Sequence, residues 1–341
     1  MSGKIPRGHH YVWQYYLKAW CVDDTIWWNR NSNIQNTSTE KILKKKDMYK
    51  IHKLNEFEKY ILDNVWMRDN RKRLKGLIDE ELKLFEILNV FEDEEPSNII
   101  NKLVTEYGME ITQNGKRVDP IEFNEQFRNL ERPKQEIIDE IKKFRIEQGE
   151  RLISSDEIAG RKFLDLLRND EISFFDYKNK DILDFYIFLN SQFYRTMKMR
   201  NRVVKTLDSL VPQLRVLLKT DLEVDGNKIY SHGLHGFIMK VSVGLIRESE
   251  YHLMLMKTLD SSFITSDQPV MNINEVLLED GTPEAIDYLM PVSPSAAIII
   301  SKSIKENIIV NVDRKTVDHL NDLIKKNSYE VIVGINKEDI Q

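Results

Sequence analysis

Apolar positions along the chain change their spacing about two-thirds of the way through. In 54–91 and again in 181–211, apolar residues recur at intervals of three and four, which predicts helices. After about residue 222 the pattern changes to short apolar runs bounded by Gly, Pro, Asn or Asp, which predicts strands. We therefore predict an α+β fold that is predominantly helical, with a mixed or antiparallel sheet built mainly from the C-terminal third.

Turn and capping residues refine this outline. Ser154 or Ser155 with Asp156 and Glu157 resembles the start of a helix, and Asp225-Gly226-Asn227 resembles a hairpin turn. The polar stretch 31–39 is expected to be a loop. We expect one domain over 1–341, with 93–150 as an inserted or accessory helical module and 222–341 as its β-rich part.

Composition limits the classes of protein to consider. With 341 residues, 41% hydrophobic and 31% charged, the chain is typical of a soluble globular protein with a sizeable core. Its net charge of −5 argues against polyanion binding by the whole surface and leaves local basic patches open. A single cysteine, Cys21, excludes an internal disulfide framework and favours an intracellular, cytoplasmic protein. Neither a signal peptide nor a membrane span is expected.

The opening GHHYVWQYYL places two adjacent histidines before an aromatic run. Neighbouring residues of an extended chain point to opposite sides, so one of His9 and His10 is expected to face a site and the other to be packed. A histidine in a site would be a general base, a metal ligand or a phosphate contact. The lysine-rich run 41–53 is either a solvated face or a phosphate-binding surface.

The stretch SSFITSDQPV predicts a short buried strand that ends at Ser266 and Asp267. A carboxylate at the end of a strand is well placed for chemistry. The alternative is that Asp267 only caps backbone amides in its own turn.

The stretch 181–211 begins with a largely apolar helix, and Gln192 and Arg195, three residues apart, share one face of it. Because an unpaired buried guanidinium is too costly, Arg195 must pair either with an internal acid such as Asp267 or with a bound phosphate or carboxylate. Basic residues follow as far as Lys205 and include Arg200. His232 and His235, spaced like a metal pair, are flanked by glycines that weaken that interpretation.

The motifs HHYVWQYYL, QFYRTMKMR, FITSDQPV and MPVSPSAAIII, in this order, resemble those of a bacterial family catalogued as domain of unknown function 4238. Trp13 stands where the family has proline. The resemblance implies a grouping rather than a mechanism. Its polar motif positions correspond here to His9, His10, Gln14, Gln192, Arg195, Ser266, Asp267, Ser293 and Asn321.

These residues lead to a hypothesis of phosphodiester hydrolysis on nucleic acid, as in a host-defence (phage-defence) or toxin nuclease. His9 or His10 would be the general base and Asp267 its orienting partner or a ligand for a divalent cation such as Mg²⁺. Substrate would be held by Gln14, Gln192, Arg195, Arg200, Ser266, Ser293 and Asn321. One alternative is a non-enzymatic binding module with a buried His-Asp-Arg network and a partner protein on 93–150. Another is an enzyme acting on a small phosphorylated ligand.

Overall fold

The computed structural model describes residues 8–67, 134–248, 250–274 and 285–341, together with short pieces between 76 and 117. The chain forms two compact units. Unit 1 comprises 1–6, 49–151 and 221–236, and unit 2 comprises 7–48, 152–220 and 237–341. Much of the expected accessory module 93–150 lies outside the described residues, so its role in binding a partner stays a prediction.

The described helices are α1 (Gln14–Leu17), α2 (Glu56–Ile61), α3 (Lys134–Arg168), α4 (Ile182–Tyr194), α5 (Met197–Leu218), α6 (Gly226–Glu248) and α7 (Arg314–Asn327). The strands are β1 (Gly8–His10), β2 (Ile26–Arg30), β3 (Asn33–Thr37), β4 (Lys44–Lys46), β5 (Thr112–Gln113), β6 (Lys116–Arg117), β7 (His252–Lys257), β8 (Thr265–Ser266), β9 (Met271–Asn272), β10 (Tyr288–Ser293), β11 (Ala296–Ser301), β12 (Ile308–Asn311) and β13 (Val331–Gly334). The predicted α+β class is confirmed.

Two sheets form the centre of unit 2. The first has the order β12-β7-β11-β10-β9 and is mixed, because β12 runs parallel to β7 while the other pairs are antiparallel. The second has the order β3-β2-β13-β8 and joins strands from both ends of the chain. Buried residues of the first sheet pack with Val317, Leu320 and Ile324 of α7, and Trp27 and Ile332 of the second sheet pack against the same core.

Three local predictions were wrong, each for an identifiable reason. The helix expected to start at Ser154 is continuous from Lys134, because Asp156 accepts a hydrogen bond from the Ser191 hydroxyl instead of capping a helix end. Asp225 begins a helix rather than a hairpin, since its carboxylate accepts the amide N–H of Asn227. The expected loop 31–39 contains β3, paired with β2 through a tight turn at Asn31 and Ser32.

That turn shows why propensity alone misled the prediction. Asn31 and Ser32 both have positive φ, 53° and 67°. Two consecutive residues with positive φ match the right-handed twist of the flanking strands, and asparagine adopts this conformation readily. The polar sequence that resembles a loop therefore forms a hairpin.

Candidate functional site

A cleft of about 280 Å³ lies in unit 2, and we call it the basic cleft. Its basic lining residues are Arg30, Lys41, Lys44 and Lys45. The acidic residue in its wall, Glu330, forms an ion pair with Arg30. The lining therefore carries an excess of positive charge, although the whole chain is acidic. Such a concentration of cations favours an anionic ligand.

Strand β4, which lines the basic cleft with Lys44 and Lys45, forms a two-stranded ribbon with β1. The strands are antiparallel, with His9 opposite Lys45 and His10 opposite Lys44. Directly opposed residues share a face, so His10 lies beside Lys44, which lines the cleft. His9 is buried and only 1% exposed, whereas His10 is half-buried. The two histidines thus differ in burial, and the assignment of His10 to a site stays a prediction.

The electrostatic surroundings of His10 keep its imidazole neutral. Burial lowers the pKa of His10 from its usual value of 6.5, and the neighbouring Lys44 and Arg195 lower it further. A hydrogen bond with the backbone of Ile42 and the charge of Glu40 oppose this shift without reversing it. A neutral imidazole at neutral pH is able to accept a proton, which is what a general base requires.

The lysine-rich run lines the basic cleft, and the start of the second basic run lies next to it. Lys44 and Lys45 come from the lysine-rich run, and Met197 begins the helix that carries Arg200. Burial lowers the pKa of Lys45, and the charge of Arg200 lowers it further, so these two cations lie within electrostatic reach of each other. A concentration of cations of this kind favours the binding of an anion such as phosphate.

Asp267 supports the wall of the cleft on the opposite side. Its Oδ1 accepts the amide N–H of Tyr329 at 2.9 Å, and its Oδ2 accepts those of Glu330 at 2.7 Å and Val331 at 3.1 Å. These three residues all line the basic cleft. Burial raises the pKa of Asp267, although the three N–H donors favour its charged form. Asp267 thus fixes the backbone of 329–331, a segment that ends on the first residue of β13.

Arg195 pairs internally, as one of the two alternatives predicted, but its acid is Glu157 rather than Asp267. Its guanidinium also donates to Gln192 Oε1 at 2.8 Å, so the two polar residues share a helix face as expected. Arg195 is fully buried, and the side chain of Glu157 is 17% exposed. The amide nitrogen of Gln192 is buried with no hydrogen-bond partner among the described residues. This network is beside His10, whose pKa the charge of Arg195 lowers.

The profile of a family described as Protein of unknown function (DUF4238) matches residues 8–338, nearly the whole length. The chain belongs to the DUF4238 family. No curated protein and no solved structure gives a significant match. In the described part of this DUF4238 protein, no helix is both long and apolar enough to cross a membrane.

The other predicted site residues have local structural contacts. The Ser266 hydroxyl accepts the amide N–H of Gln268 at 3.1 Å, and Asn321 bridges the backbone of Ser262 and Ile264. Ser293 lies 3.2 Å from the hydroxyl of Ser295, and Gln14 is the half-buried first residue of α1. These four residues shape the DUF4238 fold around the site rather than line the basic cleft.

Sequence reasoning missed several residues that the site uses. Trp28 and Tyr329 line the cleft, and Glu157 completes the pair with Arg195. Strand alternation contained a usable signal for Trp28, because Trp27 and Trp28 must face opposite sides of β2. No signal in the sequence brings Glu157 to Arg195, since they come from different helices.

The two histidines suspected of binding metal belong to unit 1. His232 and His235 are on α6, and burial lowers the pKa of His232 to about 3. Gly233 is explained by packing, because a Cβ there would come within 2.7 Å of the Trp66 ring. Within the described residues of this DUF4238 protein, no group of three or more His, Cys, Asp or Glu side chains is arranged to hold a metal ion.

Proposed function

We propose that this protein binds the phosphate backbone of nucleic acid in the basic cleft and hydrolyses a phosphodiester bond there. The observation that supports this most directly is a cleft lined by Arg30, Lys41, Lys44 and Lys45, with His10 opposite Lys44 on the neighbouring strand. Arg200, from the second basic run, lies within electrostatic reach of Lys45. Phosphate groups are the ligands that such clusters of Lys and Arg attract.

In the proposed reaction, His10 removes a proton from the attacking oxygen, which comes from water or a hydroxyl group. Because its imidazole is neutral, it accepts that proton without first losing one. The attacking oxygen forms a bond to phosphorus while the bond from phosphorus to the leaving oxygen breaks. The leaving oxygen takes up a proton from water, and the protonated His10 later returns its proton to solvent. Lys44, Lys45 and Arg30 offset the negative charge that develops on the phosphoryl oxygens. Asp267 acts indirectly as a positioning residue, by holding the backbone of 329–331.

The test compares cleavage of labelled RNA and DNA by the wild type and by the His10→Gln variant, with and without Mg²⁺ or Mn²⁺. Loss of a general base is expected to lower the cleavage rate by about 10²- to 10⁴-fold. Double replacement of His9 and His10 is less informative, because His9 is buried and its loss would also affect folding. Circular dichroism spectra check that the variant is folded. Equal cleavage by the two proteins would exclude His10 as the base.

Binding is tested separately from cleavage. Lys44→Gln and Lys45→Gln are each expected to weaken oligonucleotide binding and to reduce the slope of log K against log salt by about 1. Lys46→Gln is the matched control, because Lys46 is exposed on the same strand and does not line the cleft. If Lys46→Gln weakens binding as much as the cleft variants do, the basic cleft is not the binding site.

A second candidate is a non-enzymatic binding module. It is favoured by the contacts of Asp267, which are all to backbone amides, and by the burial of Arg195 against Glu157 and Gln192. Under this proposal the polar residues only stabilise the fold. Nucleic acid would then bind in the basic cleft without being cleaved, and His10→Gln would leave binding unchanged. A mononucleotide that displaces the labelled oligonucleotide as well as an unlabelled oligonucleotide does would instead favour an enzyme that acts on a small phosphorylated ligand.

A further inference from the structure

The basic cleft has an aromatic lining as well as a basic one. Tyr11, Trp28 and Tyr329 contribute to its walls. Phosphate binding alone does not need three aromatic side chains. Base–aromatic stacking, in contrast, is the usual means by which proteins hold single-stranded nucleic acid.

The orientation of Trp28 follows from its strand. In β2, Trp27 packs against the core formed with α7, whereas Trp28 and Arg30 lie on the other face and line the cleft. Across the ladder, Trp28 pairs with Val333 and Arg30 with Val331. An aromatic ring and a guanidinium two residues apart thus face the same cavity, at a spacing that suits a base and its phosphate.

Trp28 also presents a hydrogen-bond donor that the described residues do not use. Its indole Nε1 is buried and has no hydrogen-bond partner among them. A buried indole N–H normally finds an acceptor, because leaving it unpaired is costly. A carbonyl oxygen of a base, or a phosphate oxygen, entering the cleft would supply that acceptor.

Tyr329 is the second available ring. It is 45% exposed, and its hydroxyl accepts a hydrogen bond from the Asn201 side chain at 3.0 Å, which anchors the tyrosine to α5. Its backbone is held by Asp267 at 2.9 Å. A ring that is anchored at both ends and still exposed loses little conformational freedom when a base stacks on it.

We infer that the basic cleft takes one nucleotide of a single-stranded nucleic acid, with its phosphate at Lys44, Lys45 and Arg30 and its base against Trp28 and Tyr329. This deepens the proposed function and rests on it for the phosphate contacts. The cleft volume of about 280 Å³ lies near the lower end for ligand pockets and suits a single nucleotide. Paired bases in a duplex are stacked on their neighbours and present no free face to Trp28.

The experiment measures fluorescence anisotropy of labelled oligouridylate, oligothymidylate and a DNA duplex, each about ten nucleotides long, a length within the usual range of single-strand sites. The His10→Gln protein is used throughout so that cleavage does not consume the probe. Trp28→Ala is expected to weaken single-strand binding by about 5- to 150-fold, the range typical for loss of one stacked base. Trp28→Phe keeps a ring but removes the donor, so it should lose less. Trp13→Phe is the control, because Trp13 lies outside the cleft.

The outcomes separate this inference from the proposed function. The inference is supported if the single strands bind more tightly than the duplex, and if this preference is lost in Trp28→Ala but kept in Trp13→Phe. The ratio of oligouridylate to oligothymidylate affinity then tells RNA from DNA. If duplex and single strand bind equally and only Lys44→Gln and Lys45→Gln weaken binding, the inference is overturned while phosphate binding stands. If no probe binds, both fail.

Discussion

The carboxylate of Asp267 accepts the backbone N–H of Glu330 at 2.7 Å, and this contact connects a conspicuous sequence motif to the wall of the basic cleft. The same carboxylate also holds the amides of Tyr329 and Val331. The sequence left this aspartate open as a reacting group or a cap of its own turn, and in the fold it holds the backbone of a distant segment, on which Glu330 meets Arg30. Its effect on the cleft is indirect, and it should be measurable through stability.

Replacing Asp267 by Asn tests this relationship. An asparagine offers one acceptor oxygen where the carboxylate offers two, so at least one buried amide N–H loses its partner. We expect the free energy of unfolding to fall by about 1–3 kcal/mol and the melting temperature to fall with it. Asp318→Asn, at an exposed position of α7, is the control and should change little. An unchanged melting temperature together with abolished cleavage would instead make Asp267 a reacting group.

The buried pair of Arg195 and Glu157 gives a second prediction. Arg195→Lys should destabilise the protein, because a single ammonium group does not reproduce the simultaneous contacts of the guanidinium with Glu157 and Gln192. Removing one partner of a buried pair typically costs about 3–5 kcal/mol. The double variant Arg195→Met with Glu157→Gln should lose less stability than the sum of the losses in Arg195→Met and Glu157→Gln made singly. Urea unfolding measures the free energy of unfolding of the double variant and of both single variants. Simple additivity of the losses would argue that the pair contributes nothing.

The third prediction concerns the proton affinity of His10. Lys44→Gln removes a cation that lies next to the imidazole and repels its protonated form. The protonated ring is therefore more stable in the variant, so the pKa of His10 should rise. It should stay below 6.5, because burial is the largest cause of the shift and persists in the variant. NMR titration of the ring protons measures the change. Lys46→Gln should leave this pKa unaltered, and a fall in the pKa after Lys44→Gln would contradict the assigned geometry.

His232 makes the stability of unit 1 depend on pH. Its pKa is about 3 in the folded protein and about 6.5 in an unfolded chain. Between these values the unfolded state binds the extra proton, so stability is fully present above about pH 6.5 and falls by about 1.4 kcal/mol per pH unit below it. His232→Gln should remove this part of the slope in urea unfolding measured from about pH 7 to 4. A slope that is the same in His232→Gln and in the wild type would contradict this assignment.

Two helical glycines give a prediction about packing. At Gly160 of α3 an added Cβ would overlap the buried ring of Phe188, whereas at Gly244 of α6 nothing lies within 4 Å. Gly160→Ala should therefore lower the melting temperature, because Phe188 has no free space to move into. Gly244→Ala should stabilise by up to about 1 kcal/mol through helix propensity. Both variants make the same chemical change, so their melting temperatures show whether packing or helix propensity determines the effect of the added methyl group at each position.

Several features of the fold were predictable from the sequence because they depend on neighbouring residues. The apolar spacing predicted the α+β class and the strand-rich region after about residue 222, where β7 to β13 lie. The alternation of an extended chain separated His9 from His10 on β1. The spacing of Gln192 and Arg195 put them on one helix face, where they are hydrogen bonded. Family membership was also available from motif order alone, and the profile match over 8–338 confirms it.

The sequence by itself therefore determined element types, local faces and family. Only the tertiary structure decided that Asp267 holds backbone amides, that Arg195 pairs with Glu157, and that Lys45 comes near Arg200. The physical reason is that a buried charge must be satisfied by whichever group the folded chain brings to it, and that partner can come from anywhere along the sequence. Periodicity fixes the direction of a side chain relative to its own element, whereas its partner depends on how the elements pack.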